Sequence, residues 1–273
     1  VDALLDELGL TPPTTWDEMY EFCDAAEAAG HHAYSLAGAE EYGAHSTSMA
    51  IAADLVYSDP ATGDTTFQFD KDIVSGDTTF PTNDGFVTAW TKLEEMYASN
   101  CFIPNLSGIT TDENRRLVAT GEALGSIIGT LAMGQLQELN PDAEFLLYEF
   151  DSDNNPDSNQ EILSLQGGAS IPKGGNVELA KEFVRFMADN ANLYWSKHAG
   201  TAPTLTTIDV GDDPNVVFMT DIIARGDNIP YLNTYWCAEA EAAMIAGNQG
   251  LVVGTTTPMA IMEAMQAAYD ACR

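Results

Sequence analysis

Two pairs of adjacent carboxylates, Glu40–Glu41 and Glu94–Glu95, are the residues whose type most readily suggests catalysis, because paired acids can serve as proton donor and base on a glycosidic bond. Adjacent side chains diverge on a helix or a strand, so neither pair is naturally positioned for that work. No GxSxG elbow, phosphate-binding loop, dinucleotide fingerprint or HExxH run is present. No serine or cysteine has a placed histidine to activate it. His45 has no second ligand at metal spacing. The four cysteines, Cys23, Cys101, Cys237 and Cys272, form no CxxC or Cys/His metal pattern. They allow three pairings if all are bonded, and incidental thiols are an equal reading. No catalytic residue, metal or cofactor is expected.

The elements that must position any site follow from periodicity. Thr15 and Glu18 read as the capping box of a helix over 16–29, with Trp16, Met19, Tyr20 and Cys23 at helical spacing. A strand is expected over 33–36, a loop after it, and a helix over 49–56. A turn follows at 58–64, and a short strand over 65–69. Phe86, Val87, Trp90, Leu93, Met96 and Tyr97 predict a helix from Asp84 to Asn100. Further helices are expected over 112–121, 130–139, 177–190 and 192–198, then at about 215–225, 235–247 and 257–271. Strands are expected over 123–128, 145–150 and, interrupted by Gly167–Gly168, 162–172. Strands separated by helices imply an α/β fold. The 151–160 segment is a polar Asp/Asn/Ser/Pro loop.

Composition bounds the partners. Of 273 residues, 45% are hydrophobic, enough for a substantial core. Lys plus Arg number 10 against 42 Asp plus Glu, a formal charge of −32. That excess repels nucleic acid and anionic lipid, and a solvated acidic surface is its expected role. No apolar run approaches the ~20 residues that span a bilayer. Leu4, Leu5 and Leu8 lie on one helical face, so the first residues read as a helix and not a signal peptide. Because the chain begins at Val1, it reads as a fragment from which the export signal is missing.

The run Leu10-Thr11-Pro12-Pro13-Thr14-Thr15-Trp16-Asp17-Glu18 resembles the opening of the C-terminal lobe in bacterial extracellular solute-binding proteins of ABC importers, specifically the sugar-binding family related to maltose-binding protein. Collinear segments strengthen the resemblance. They are Asp59-Pro60 with Phe67 and Phe69, Asp84-Gly85-Phe86, Ile103-Pro104, Gly121-Glu122-Ala123-Leu124-Gly125, and Gly167 to Lys173 with Ala180 to Phe183. The resemblance implies a periplasmic-binding-protein type II-like two-lobed fold, represented here mainly by the C-terminal lobe. Residues 1–165 would be its first part, 166–211 a crossover and return segment of the N-terminal lobe, and 212–273 its closing helices. It also implies an extracytoplasmic location, as a cell-surface lipoprotein or in the periplasm. The expected function is monomeric capture of a mono- or oligosaccharide and delivery to ABC permease subunits. The alternatives are a secreted glycosidase, or the same receptor fold serving a polyol, peptide or polyamine.

By the same resemblance four places should face the interlobe cleft. Glu41, Tyr42 and His45 precede the 49–56 helix, where a carboxylate can bind two sugar hydroxyls and tyrosine can stack. Gly129, Thr130 and Leu131 lie where a strand gives way to a helix, and backbone N–H groups can bind ligand oxygens there. Maltose-binding relatives carry a stacking tryptophan at this place, so Leu131 argues for a different or smaller solute. Gly167, Gly168 and Ala169 allow close backbone approach. Asn233, Tyr235 and Trp236 open a C-terminal helix, with Trp236 expected to stack on the sugar.

Overall fold

The computed structural model describes all residues except 1, 60, 61, 63, 150, 156–158, 164–169, 200, 204–208, 210 and 227; the side chains of 2, 42, 44 and 191–199 also lie outside it. Helix α1 (Asp2–Leu8) leads to α2 (Trp16–Ala28), which buries Trp16, Met19, Phe22, Cys23 and Ala26 at spacings of three and four. Thr15 Oγ1 accepts the Glu18 N–H at 3.3 Å, as the capping box requires. Glu18 reaches back one residue further than expected, accepting both the N–H and the hydroxyl of Thr14 at 2.8 Å.

Strand β1 (His32–Ser35) pairs in parallel with β2 (Ala123–Ser126), with His32 opposite Ala123 and Tyr34 opposite Gly125. On the other side of β1, Tyr34 N–H donates to Cys101 C=O and Tyr34 C=O accepts from Ile103 N–H. A disulfide between Cys23 and Cys101 ties α2 to that segment, and a second joins Cys237 to Cys272. These bonds select one of the three pairings open in the sequence. Helices α6 (Thr111–Ala119) and α7 (Ala132–Leu139) flank β2.

A helical layer of α3 (Glu41–Tyr57), α5 (Asp84–Ala98), α10 (Ala238–Val252) and α11 (Pro258–Cys272) forms the largest part of the core. Phe69, Phe80, Phe86, Trp236 and Tyr269 pack there ring against ring, with centroids 4.6–6.0 Å apart. A polar chain crosses this layer. Trp90 Nε1–H donates to Asn248 Oδ1 at 2.6 Å, and Asn248 Nδ2–H donates to Ser48 Oγ at 2.8 Å. Ser48 Oγ–H in turn donates to His45 C=O at 2.8 Å. Side chains from three helices are thereby held in one register. Strands β3 (Glu161–Ile162) and β4 (Asn228–Ile229) form a second parallel pair.

The elements depart from expectation where tertiary contacts outweigh local pattern. Helix α3 starts at Glu41, eight residues before the apolar run that announces it. Residues 65–69 form only a single bridge, Ser58 to Thr65, and α4 (Gln68–Ser75) takes Phe69. Helical spacing puts Phe69 and Ile73 together on the core, which an extended chain would not do. Phe145 to Glu149 forms no strand. Instead Asn215, at the start of α9 (Pro214–Arg225), accepts the Leu147 N–H at 2.9 Å and donates to Phe145 C=O at 2.8 Å. The two helices expected over 177–198 are one, α8 (Val177–Ala199). The expected strand over 162–172 lies mostly outside the described residues.

Candidate functional site

Parallel pairing makes β1 and β2 end on the same edge, the place where open α/β sheets hold ligands. Beyond β1 the chain enters α3, and beyond β2 it runs through 127–131 into α7. The edge is braced by polar bonds. Ser126 Oγ–H donates to Ser35 C=O at 2.8 Å, and Asn114 Nδ2–H donates to Ser126 Oγ at 3.1 Å. Glu40 accepts the Thr111 N–H at 3.0 Å and the Thr111 hydroxyl, which together lower its carboxyl pKa below the ordinary value. Glu40 thus pins the start of α3 to the start of α6. A Cβ at Gly43 would lie 2.2 Å from Ala37 C=O, so this tight entry into α3 admits only glycine.

The sequence-predicted residues divide into groups. Glu41 is exposed on the first turn of α3, and Gly129, Thr130 and Leu131 are partly buried across the edge from it. These two places share one end of the sheet. His45 is only 5% exposed, and its Nδ1–H donates to Glu41 C=O at 2.8 Å within α3. Tyr42 is in α3, and its side chain lies outside the described set. Gly167, Gly168 and Ala169 lie outside the described residues.

Asn233, Tyr235 and Trp236 are not brought to that edge. They sit in the short turn before α10, by the far end of α3, where Tyr235 acts electrostatically on Tyr57. The 17 residues of α3 separate the two ends by about 24 Å at about 1.5 Å per residue. Trp236 is 8% exposed, its ring 5.1 Å from Phe80 and 5.7 Å from Phe86, so its faces are spent on the core. Tyr235 is 54% exposed and is the ring that solvent, or a ligand, meets here. Of the two neighbouring rings, Tyr235 is thus the accessible one and Trp236 the buried one. Tyr235 closes the 3-10 turn Leu232–Tyr235 and Trp236 caps it in extended backbone, so the two neighbouring side chains leave in different directions.

Sequence reasoning missed Ser35, Ser126 and Asn114 at the edge. Ser35 Oγ and Thr47 Oγ1 are buried with no hydrogen-bond partner among the described residues. Ser35 is the last residue of β1, so a polar residue at a strand's carboxyl end was the available signal. A surface pocket of about 510 Å³ lies alongside β1, lined by His32, Phe102, Asn105 and Val252.

Residues 2–217 match the model of a family described as bacterial extracellular solute-binding protein. No curated protein sequence matches the chain. Among solved structures, a sugar transporter from Bacillus licheniformis in complex with stachyose superposes with a TM-score of 0.77 at 19% identity, covering 99% of this chain and 70% of its own. RafE in complex with raffinose gives 0.77 at 17% identity, covering 98% and 68%. Maltose-bound MalE3 of T. maritima gives 0.69 at 17%, covering 99% and 68%. At these identities the likeness establishes the fold.

Proposed function

The chain belongs to the bacterial extracellular solute-binding protein family, a family of binding proteins and not of enzymes, and we propose that it captures a carbohydrate for delivery to an ABC permease. The observation that supports this reading is the parallel pairing of β1 and β2, after whose carboxyl ends the chain leads to the exposed Glu41 at the start of α3 and, separately, to Gly129–Leu131 before α7. A carboxylate accepts two hydroxyls, which suits a polyhydroxylated solute. The three neighbours named above were solved with stachyose, raffinose and maltose, which supports the same class.

The exposed face of α8 supports a second lobe. Leu179, Phe183 and Phe186 are 59–60% exposed and spaced four and three residues apart, so they form one apolar stripe. In this reading residues 166–211 belong to the N-terminal lobe and the stripe packs within it, while 1–165 and 212–273 form the C-terminal lobe. Closure of two lobes traps the solute.

Calorimetric titration of the full-length protein with raffinose, stachyose and malto-oligosaccharides tests the reading, with peptides and polyols as controls. Saturable binding of one sugar, weakened about tenfold or more in Glu41→Gln, is expected. Binding of peptide or polyol alone overturns the substrate class. Hydrolysis of a sugar by the purified protein overturns the receptor role.

A further inference from the structure

The loop after residue 150 carries a feature that solute capture does not use. Asp151, Asp153, Asn155 and Asn159 place oxygen-bearing side chains at relative positions one, three, five and nine, the alternation with which a single loop wraps a calcium ion. Pro156 stands where an EF-hand needs glycine, and Ile162 where it needs its bidentate glutamate, so the loop is not an EF-hand. The structure adds an independent observation. Asp151 is 6% exposed and Asn159 is 8% exposed, and Asp151 Oδ2 and Asn159 Oδ1 are both buried with no hydrogen-bond partner among the described residues. Two such oxygens are unfavourable if left bare.

One carboxylate brings them together. Asp54 of α3, 2% exposed, accepts the Ser152 N–H at 2.9 Å and the Ser152 hydroxyl at 2.7 Å on Oδ2, and the Gln160 N–H at 2.6 Å on Oδ1. Ser152 and Gln160 are therefore held side by side. Asp151 and Asn159, each one residue earlier, start from neighbouring points of backbone. The other oxygen of Asp151 is committed, accepting the N–H groups of Asp153 at 2.8 Å and Asn154 at 3.0 Å. That bond fixes the carboxylate so that Oδ2 is the one left over. Lys92, whose ammonium lies 4.3 Å from the Trp16 ring centroid, acts electrostatically on Asp151 and Asp153 from α5.

We propose that this loop binds one calcium ion, with Asp151 Oδ2 and Asn159 Oδ1 as its buried anchors and Asp153 and Asn155 completing the protein's share of the shell. Oxygen donors without nitrogen or sulfur select a hard cation, and side-chain oxygens spread over nine residues suit the larger, irregular shell of calcium over the small, octahedral one of magnesium. Few charged ligands place the affinity at a Kd of about 10⁻⁴–10⁻³ M, the range of extracellular modules. Bound calcium would fasten the loop that Asp54 already ties to the core. The inference does not depend on which solute the protein carries.

The test is calorimetric titration of the EGTA-treated, dialysed protein with calcium chloride, with magnesium chloride in parallel, on the wild type, Asp151→Asn and Asn159→Ala. Asp151→Asn keeps an oxygen to accept the two backbone N–H groups and removes the charge, so it should remain folded by circular dichroism. The expected result is one calcium per chain, a response to magnesium at least tenfold weaker, and at least a tenfold loss of calcium affinity in either variant. No saturable heat up to about 10 mM calcium overturns the site, since that exceeds the weakest expected Kd. Equal binding by wild type and both variants also overturns it, by assigning the heat to the acidic surface. Equal affinity for magnesium overturns the assignment to calcium.

Discussion

Replacing Asp70 by asparagine should make the protein more stable at neutral pH, and the gain should vanish in acid. Asp70 is 6% exposed in the first turn of α4, and its Oδ1 accepts the Tyr57 hydroxyl at 3.0 Å. Burial pushes its pKa from the ordinary 3.8 up to about 6, with the Tyr57 hydrogen bond opposing the rise. Because the folded value lies above the unfolded one, the unfolded chain loses this proton first as pH rises. The group therefore costs nothing below pH 3.8, costs progressively more between 3.8 and about 6, and carries its full penalty above that. At about 1.4 kcal/mol per pH unit the penalty is on the order of 3 kcal/mol. Asparagine keeps an oxygen for the Tyr57 hydroxyl and carries no charge. Urea unfolding of wild type and Asp70→Asn should thus differ by about 1–3 kcal/mol at pH 7.5, with the gap closing between pH 6 and 4 and the slope in denaturant unchanged. A variant less stable than wild type at pH 7.5, or a gap that ignores pH, would refute the reasoning. Taking the difference removes the titration of Asp54 and Asp151, whose buried carboxyls are also raised.

Four further outcomes follow from the packing. Asn248→Ala should cost about 2–5 kcal/mol in chemical unfolding, because it strands the buried Trp90 indole N–H and removes a donor from Ser48. Gly85→Ala should lower the melting temperature sharply, since the new Cβ would lie 2.4 Å from Leu55 C=O and force α5 off α3. Of the two disulfides, mild reductant followed by alkylation should open Cys237–Cys272 first, because Cys272 is exposed while Cys23 and Cys101 are fully buried. Replacing Cys23 and Cys101 with alanine should cost about 4.5 kcal/mol for a loop of 78 residues by the chain-entropy model.

Local chemistry made much of the chain legible from sequence. The capped start of α2, the three-and-four spacing of α5, and the Thr257–Pro258 opening of α11 state their own boundaries, since a cap or a buried stripe is written in residues a turn or two apart. The family resemblance was equally legible, because collinear segments need no knowledge of distance. Where two distant segments share one bond, the sequence is silent. Asn215 replaces a strand ladder for Phe145 to Leu147 across about 70 residues, and Phe69 belongs to a helix only because Phe80 and Phe86 wait for it.

The site shows the same division. The sequence by itself determined an acidic chain of a binding-protein family, and offered Glu41, Gly129–Leu131 and the aromatic residues before α10 as candidates for its site. Only the tertiary structure decided that Glu41 and Leu131 share the carboxyl edge of a parallel pair, while Tyr235 stands about 24 Å along α3 from it. Only the structure decided, too, that Tyr235 meets solvent and Trp236 the core, and that Asp54 gathers Ser152 and Gln160. Residue type states what a side chain can do; which way it faces is set by partners far along the chain, whose contacts repay the entropy of holding it there.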